Sequence, residues 1–130
     1  MSEVFNLEII SPEKTIMKSE VLQVSLPGFE GEMTILKDHI SLITFLRPGI
    51  IEVEGNQTKE KFFAEGGTVE FKNNNLLILS SLILNLKDLR QDYTQKMIEQ
   101  AKEDLSKSTF NDKEKYLLAY KIDTLEKLKV

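Results

Sequence analysis

The chain of 130 residues has no cysteine, which excludes disulfide staples, thiolate metal sites and a cysteine nucleophile. It has a single histidine, His39. A serine-histidine-acid relay would have to be built on that one ring, and the Gly-x-Ser-x-Gly spacing that presents a nucleophilic serine does not occur. A zinc site would need carboxylates for every remaining ligand. No Gly-x-x-x-x-Gly-Lys-Ser/Thr loop is present to cradle phosphates. The one glycine pair, Gly66-Gly67, runs on into Thr68-Val69-Glu70 without a lysine, and reads as a bulge or a close strand crossing. No apolar run approaches the ~20 residues of a membrane span. Met1-Ser2-Glu3-Val4-Phe5 has neither a basic start nor a long apolar stretch, so the reading predicts no secretory or transit peptide and an intracellular location.

Apolar residues make up 41% of the chain, enough for a real core, and the formal net charge is −4. A negative chain is a poor non-specific ligand for nucleic acid. The charge is unevenly placed. Residues 1–86 carry 7 basic and 12 acidic side chains, whereas residues 87–130 carry 10 basic and 9 acidic. That shift marks a boundary near residue 86 and predicts two domains, 1–86 and 87–130.

Before the boundary the apolar period is two. Phe5, Leu7 and Ile9 alternate with polar neighbours, as do Leu22, Val24 and Leu26, and Ile51 and Val53. Further strands are expected over Met33–Leu36, Leu42–Leu46, Thr58–Ala64, Thr68–Lys72 and Leu76–Leu82. Turn signals separate them at Ser11-Pro12, Pro27-Gly28, Pro48-Gly49, Gly55-Asn56, Gly66-Gly67 and Asn73-Asn74-Asn75. Many short strands at this spacing predict a β-sandwich or flattened barrel. After the boundary the period becomes four. Leu89, Tyr93, Met97, Ala101 and Leu105, with Ile98 beside them, form one stripe of a helix. Asp88 and Gln91 have capping-box-like spacing, and Asn111 with Glu114 can cap a second helix striped by Leu118, Ile122 and Leu125 and widened by Leu117 and Leu128. Two such helices joined by a short loop make an antiparallel hairpin. One apolar stripe per helix allows two packings, helix on helix or both on another surface.

Chemistry-bearing clusters are sparse. Glu30 with Glu32, and Glu52 with Glu54, share a strand face by period-two spacing. Such pairs can serve general acid–base work, but they equally solvate a sheet. Basic side chains of the hairpin are matched by acids and lack interleaved exposed aromatics, which argues against single-strand nucleic-acid binding. The residues therefore describe a two-part binding protein without catalysis, cofactor or metal. A free-standing sandwich adaptor and a small carboxylate enzyme stand as the alternatives.

The order and spacing of several segments resemble one family throughout nearly the whole chain. These are Ile10-Ser11-Pro12-Glu13, Val24-Ser25-Leu26-Pro27-Gly28-Phe29-Glu30-Gly31-Glu32, Ile35-Leu36, His39, Leu42, Leu46-Arg47-Pro48-Gly49 and Phe63-Ala64-Glu65-Gly66-Gly67-Thr68-Val69-Glu70, followed by the helical hairpin. Together they resemble the epsilon subunit of F-type ATP synthases, called delta in mitochondria. The resemblance implies a sandwich of about ten strands followed by a two-helix domain. It implies a non-catalytic place in the central stalk, bound to the gamma subunit and resting on the c ring, peripheral to the cytoplasmic face of a bacterial membrane. It implies that the hairpin either folds on the sandwich or extends along gamma toward the alpha and beta subunits and restrains ATP hydrolysis. By motif position, Glu32 is expected to face the polar loops of the c ring. His39 is expected at the gamma surface, with Leu42 and Glu30 as its neighbours.

The chain departs from the family pattern around the histidine. Lys37-Asp38 stands where Pro-Gly is usual, His39-Ile40-Ser41-Leu42 where His-Ala-Pro-Leu is common, and Thr34 where glycine is common. Some members bind ATP through an Asp-x-x-Arg-Ala run at the start of the first helix. Here no Arg-Ala pair follows Asp88 and Arg90 is the only arginine of the hairpin, so no ATP binding is expected.

Overall fold

The computed structural model of the protein describes residues 3–107 and 109–128. It divides between Leu86 and Lys87 into two compact units.

The first unit holds ten strands: β1 (Phe5–Ile10), β2 (Thr15–Val21), β3 (Gln23–Gly28), β4 (Gly31–Leu36), β5 (Leu42–Leu46), β6 (Gly49–Glu54), β7 (Lys59–Ala64), β8 (Gly67–Lys72), β9 (Asn75–Leu79) and β10 (Ile83–Asn85). Hydrogen bonds link them in the order β10-β7-β6-β3-β5-β8-β9-β1-β2, with β4 also paired to β3. Only one residue pair, Gly28 with Leu46, joins β3 to β5. The path therefore divides there into two groups of five, β4-β3-β6-β7-β10 and β5-β8-β9-β1-β2. Every pairing is antiparallel except that of β1 with β9.

Alternation explains which side chains meet. Val24, Leu26, Ile35, Ile51, Val53 and Phe62 come from the first group, and Phe5, Leu7, Ile9, Val69, Phe71 and Ile78 from the second; all are buried in one apolar cluster. Phe5 and Phe71 meet edge to face with ring centroids 5.7 Å apart, the arrangement that aligns a positive ring edge with a negative face.

The turns follow residue chemistry. Asn73 and Asn74 both take positive φ, 51° and 58°, which lets a two-residue turn join β8 to β9 with the twist of its strands. Pro27-Gly28 and Pro48-Gly49 meet in space. A Cβ on Gly49 would lie 2.6 Å from Pro27 Cβ, so only glycine fits there. The Gly66-Gly67 pair is a close crossing, since a Cβ on Gly67 would fall 2.1 Å from the Leu79 carbonyl oxygen.

One expected strand needs correction, and another strand gave no sequence signal. Leu76–Leu82 is not one strand. The chain leaves β9 at Ser80, whose hydroxyl donates to the carbonyls of Gly66 and Leu82, and it enters the other group as β10. The strand Thr15–Val21 carries no alternating signal because it is an edge: Val21 alone is buried, while Ile16 and Met17 are partly so.

The second unit opens with a 3₁₀ turn reaching Asp88, followed by α1 (Gln91–Leu105) and α2 (Asp112–Leu128). Asp88 does not cap α1. Arg90 takes the N-cap position with no side-chain cap, and the Thr94 hydroxyl donates to the Arg90 carbonyl instead. The cap of α2 forms as the spacing predicts, with the Glu114 N–H donating to Asn111 Oδ1 at 2.8 Å and the Asn111 N–H to Glu114 Oε1 at 3.2 Å. The α1 stripe is rotated from the expected one. Thr94, Met97, Ile98 and Ala101 are buried, while Tyr93 is exposed. Lys102 of α1 lies 3.9 Å from Glu126 of α2, as antiparallel helices allow.

Candidate partner surfaces

The four residues singled out by sequence do not form one cluster. Glu30 lies in the two-residue turn between β3 and β4, and Glu32 follows as the second residue of β4; both are exposed. Because Glu30 is in the turn, the period-two rule does not place it on a strand face with Glu32. His39 and Leu42 lie beyond the far end of β4, so a six-residue strand, roughly 20 Å long, separates them from the acidic turn. Glu30 is therefore a neighbour of Glu32 and not of His39. Leu42 is half-buried against the core, paired in register with Phe71.

His39 is half-buried. Its Nδ1 donates to the Ile40 carbonyl at 2.8 Å. The ring stands edge-on to Phe71 with centroids 5.9 Å apart, and the His39 N–H donates to the Leu36 carbonyl. The preceding residue, Asp38, has φ 66°. Its N–H donates to Asn74 Oδ1 at 2.7 Å, and Asn74 Nδ2 donates back to Asp38 Oδ1 at 2.9 Å. Thr34, in β4, approaches Ser25 across the strand pair with hydroxyl oxygens 3.3 Å apart.

Sequence reasoning missed a set of exposed apolar side chains on one strand. The outward side chains of β5 are apolar: Ile43 is 75% exposed and Phe45 60%, and Ile40 just before the strand is 78% exposed. Register extends this surface. Phe45 pairs with Thr68, Thr68 with Leu79, and Leu79 with Ile10, so one row crosses β5, β8, β9 and β1. Leu79 is exposed as well. The signal was present in Leu42-Ile43-Thr44-Phe45-Leu46, which has scarcely any polar alternation although one face is in water.

Among the described residues no three His, Asp or Glu side chains come together to hold a metal. Glu52 reaches Lys61 across β6 and β7 at 3.5 Å, and both are exposed. Arg90 pairs with Asp92 at 3.2 Å. The Asp92 carboxyl is held below its ordinary range, first by a backbone hydrogen bond at Tyr93 and then by Arg90. No described helix is long and apolar enough to cross a membrane.

Residues 4–85 match the family model of the ATP synthase delta/epsilon chain, β-sandwich domain. The chain belongs to the ATP synthase delta/epsilon family. It is 48% identical over 129 residues to the ATP synthase epsilon chain of Pelagibacter ubique, covering 98% of this chain and 99% of that relative. Against the epsilon chain of Parvibaculum lavamentivorans the identity is 33% over 130 residues, covering 99% and 98%. The helical hairpin, outside the family model, is thus matched in full-length epsilon chains. The fold recurs in solved ATP synthases. A chain of the Euglena gracilis mitochondrial enzyme (OSCP/F1/c-ring, rotational state 1) superposes with a TM-score of 0.75 at 20% identity, covering 98% of this chain and 81% of that one. A chain of the Tetrahymena thermophila mitochondrial central stalk and c ring gives 0.71 at 15% identity, covering 96% of each. An epsilon-type chain is a subunit of a larger machine.

Proposed function

We propose that the chain is a non-catalytic rotor subunit in the central stalk of a proton-translocating F-type ATP synthase. Its sandwich grips the gamma subunit with one surface and the polar loops of the c ring with another. The observation that carries this reading is the exposed apolar strip of Ile40, Ile43, Phe45 and Leu79 on a member of the delta/epsilon family. Large apolar side chains gathered in water along one strand mark a docking site, and Thr68 and Glu70 of β8 stand between that strand and Leu79. The strip takes the gamma subunit, with His39 at its rim and Leu42 supporting it from beneath.

At the end of β4 away from His39, where the Phe29 N–H donates to the Phe45 carbonyl and brings the acidic turn up to the strip, Glu30 and Glu32 present two carboxylates on a domain whose acidic side chains outnumber its basic ones. Such charge sets orientation against basic loops more than it adds affinity. On this reading the acidic turn meets the c ring, and the subunit stays peripheral to the cytoplasmic face of a bacterial membrane. The hairpin, residues 87–130, acts as a separate part that restrains ATP hydrolysis when it extends toward the alpha and beta subunits.

The test is binding to purified alpha–beta–gamma complex stripped of its native epsilon chain, followed by reconstitution with the membrane sector. Replacing Ile43 and Phe45 together by serine removes two anchors worth about 1.5–3 kcal/mol each, so affinity is expected to fall by roughly 100-fold or more. Glu32→Ala with His39→Ala is expected to leave the chain folded while lowering the coupling of proton flow to ATP synthesis. Unchanged affinity in the first pair, with unchanged assembly and coupling in the second, would refute the assignment.

A further inference from the structure

The loop that displays His39 and Ile40 is tied to a different part of the sandwich by a reciprocal pair. Asp38 N–H donates to Asn74 Oδ1 at 2.7 Å, and Asn74 Nδ2 donates to Asp38 Oδ1 at 2.9 Å. The two residues are 36 apart in sequence, and both hold a left-handed backbone, φ 66° and 58°. Left-handed conformations cost free energy for a residue with a Cβ unless local hydrogen bonds compensate. The two bonds supply that compensation at both ends together, so each residue holds its partner in the strained conformation. Directly after Asp38 come His39, with its ring fixed by Ile40 O and Phe71, and Ile40, whose side chain is 78% exposed. A loop with so large an apolar group in water gains by being ordered before a partner arrives, because the ordering entropy is then not lost on binding.

We propose that Asp38 and Asn74 form a latch that pre-shapes the 37–41 loop for gamma, making them positioning residues of that interface. The inference rests on the gamma-binding reading given above. The latch replaces with side-chain bonds the rigidity that a Pro-Gly turn would supply.

Glycine variants isolate the effect, because glycine keeps the left-handed backbone while removing the side chain. Asn74→Gly removes both bonds and Asp38→Gly removes one, since the Asp38 N–H remains. Asn73→Gly is the control. It places a glycine in the same turn, at φ 51°, and leaves the latch intact. Each full-length variant is titrated onto the alpha–beta–gamma complex, and the amide order parameters of His39 and Ile40 are measured in the free chain. Asn74→Gly is expected to weaken binding by about five- to tenfold, Asp38→Gly by less, and the double variant by no more than Asn74→Gly alone. Loop order should fall in the same sequence, with Asn73→Gly matching the wild type in both readouts. Wild-type affinity in Asn74→Gly overturns the latch while leaving the gamma reading intact, and so does an equal loss in Asn73→Gly. Failure of the wild-type chain itself to bind the complex overturns the gamma reading and the latch with it.

Discussion

Gly67 shows how far a single residue can constrain this fold. Its φ of 145° is a region that side chains avoid, and an added Cβ would meet the Leu79 carbonyl oxygen at 2.1 Å. Backbone carbonyls in a ladder cannot step aside as a flexible side chain can. Gly67→Ala should therefore cost at least about 2–3 kcal/mol, read as a lower urea midpoint of the sandwich. An unchanged midpoint would contradict the crossing. Residue-level reading of the sequence succeeded where one residue type permits one geometry, as at this glycine pair. It failed to single out Ile40 and Ile43, which water exposes, because strand alternation cannot say which face is covered. It failed also for Glu30, since a turn of two residues takes that carboxylate off the strand period. The Asp38–Asn74 pair was hidden because 36 residues separate its members and no local pattern links them.

Among the elements, the two helices differ in how their ends are held. Helix α2 begins with a reciprocal capping box between Asn111 and Glu114, whereas α1 begins at Arg90 with no side-chain cap. Asn111→Ala should cost about 1 kcal/mol and lower the helical circular dichroism signal, with the sandwich transition left in place. A signal equal to wild type would show that tertiary packing alone sets the start of α2. The capping box was legible because its chemistry is local. Asp88 looked equally able to cap, but the backbone there is committed to a 3₁₀ turn. The β2 strand was illegible for the opposite reason: an edge strand buries little, so selection of its side chains leaves no period to read. The Ser80 break between β9 and β10 lay within a continuous apolar run, and only the switch between the two strand groups reveals it.

For the molecule as a whole, the chain divides into two compact units between Leu86 and Lys87, near the charge shift along the sequence. Removing residues 87–130 should leave a sandwich that still binds the alpha–beta–gamma complex, and should raise the ATP hydrolysis rate of the reconstituted enzyme. No rise would end the inhibitory role proposed for the hairpin. The sandwich architecture followed from short strands and turn signals, and its count of about ten strands from the family resemblance, but its partition did not. A single pairing of Gly28 with Leu46 ties the two strand groups, and nothing in a linear pattern announces which strands fall in which group.

The parallel seam between β1 and β9 sets the timing of biogenesis. Asn6 must find Asn75, 69 positions later in the chain. At about 5–20 residues per second, the ribosome delivers that mate roughly 3–14 s after the first strand has emerged. During that interval the newborn β1–β2 ribbon carries an unmatched edge, an invitation to neighbouring nascent polypeptides. Slowed translation downstream of residue 21 should lengthen that vulnerable window, and with it the demand for chaperone protection.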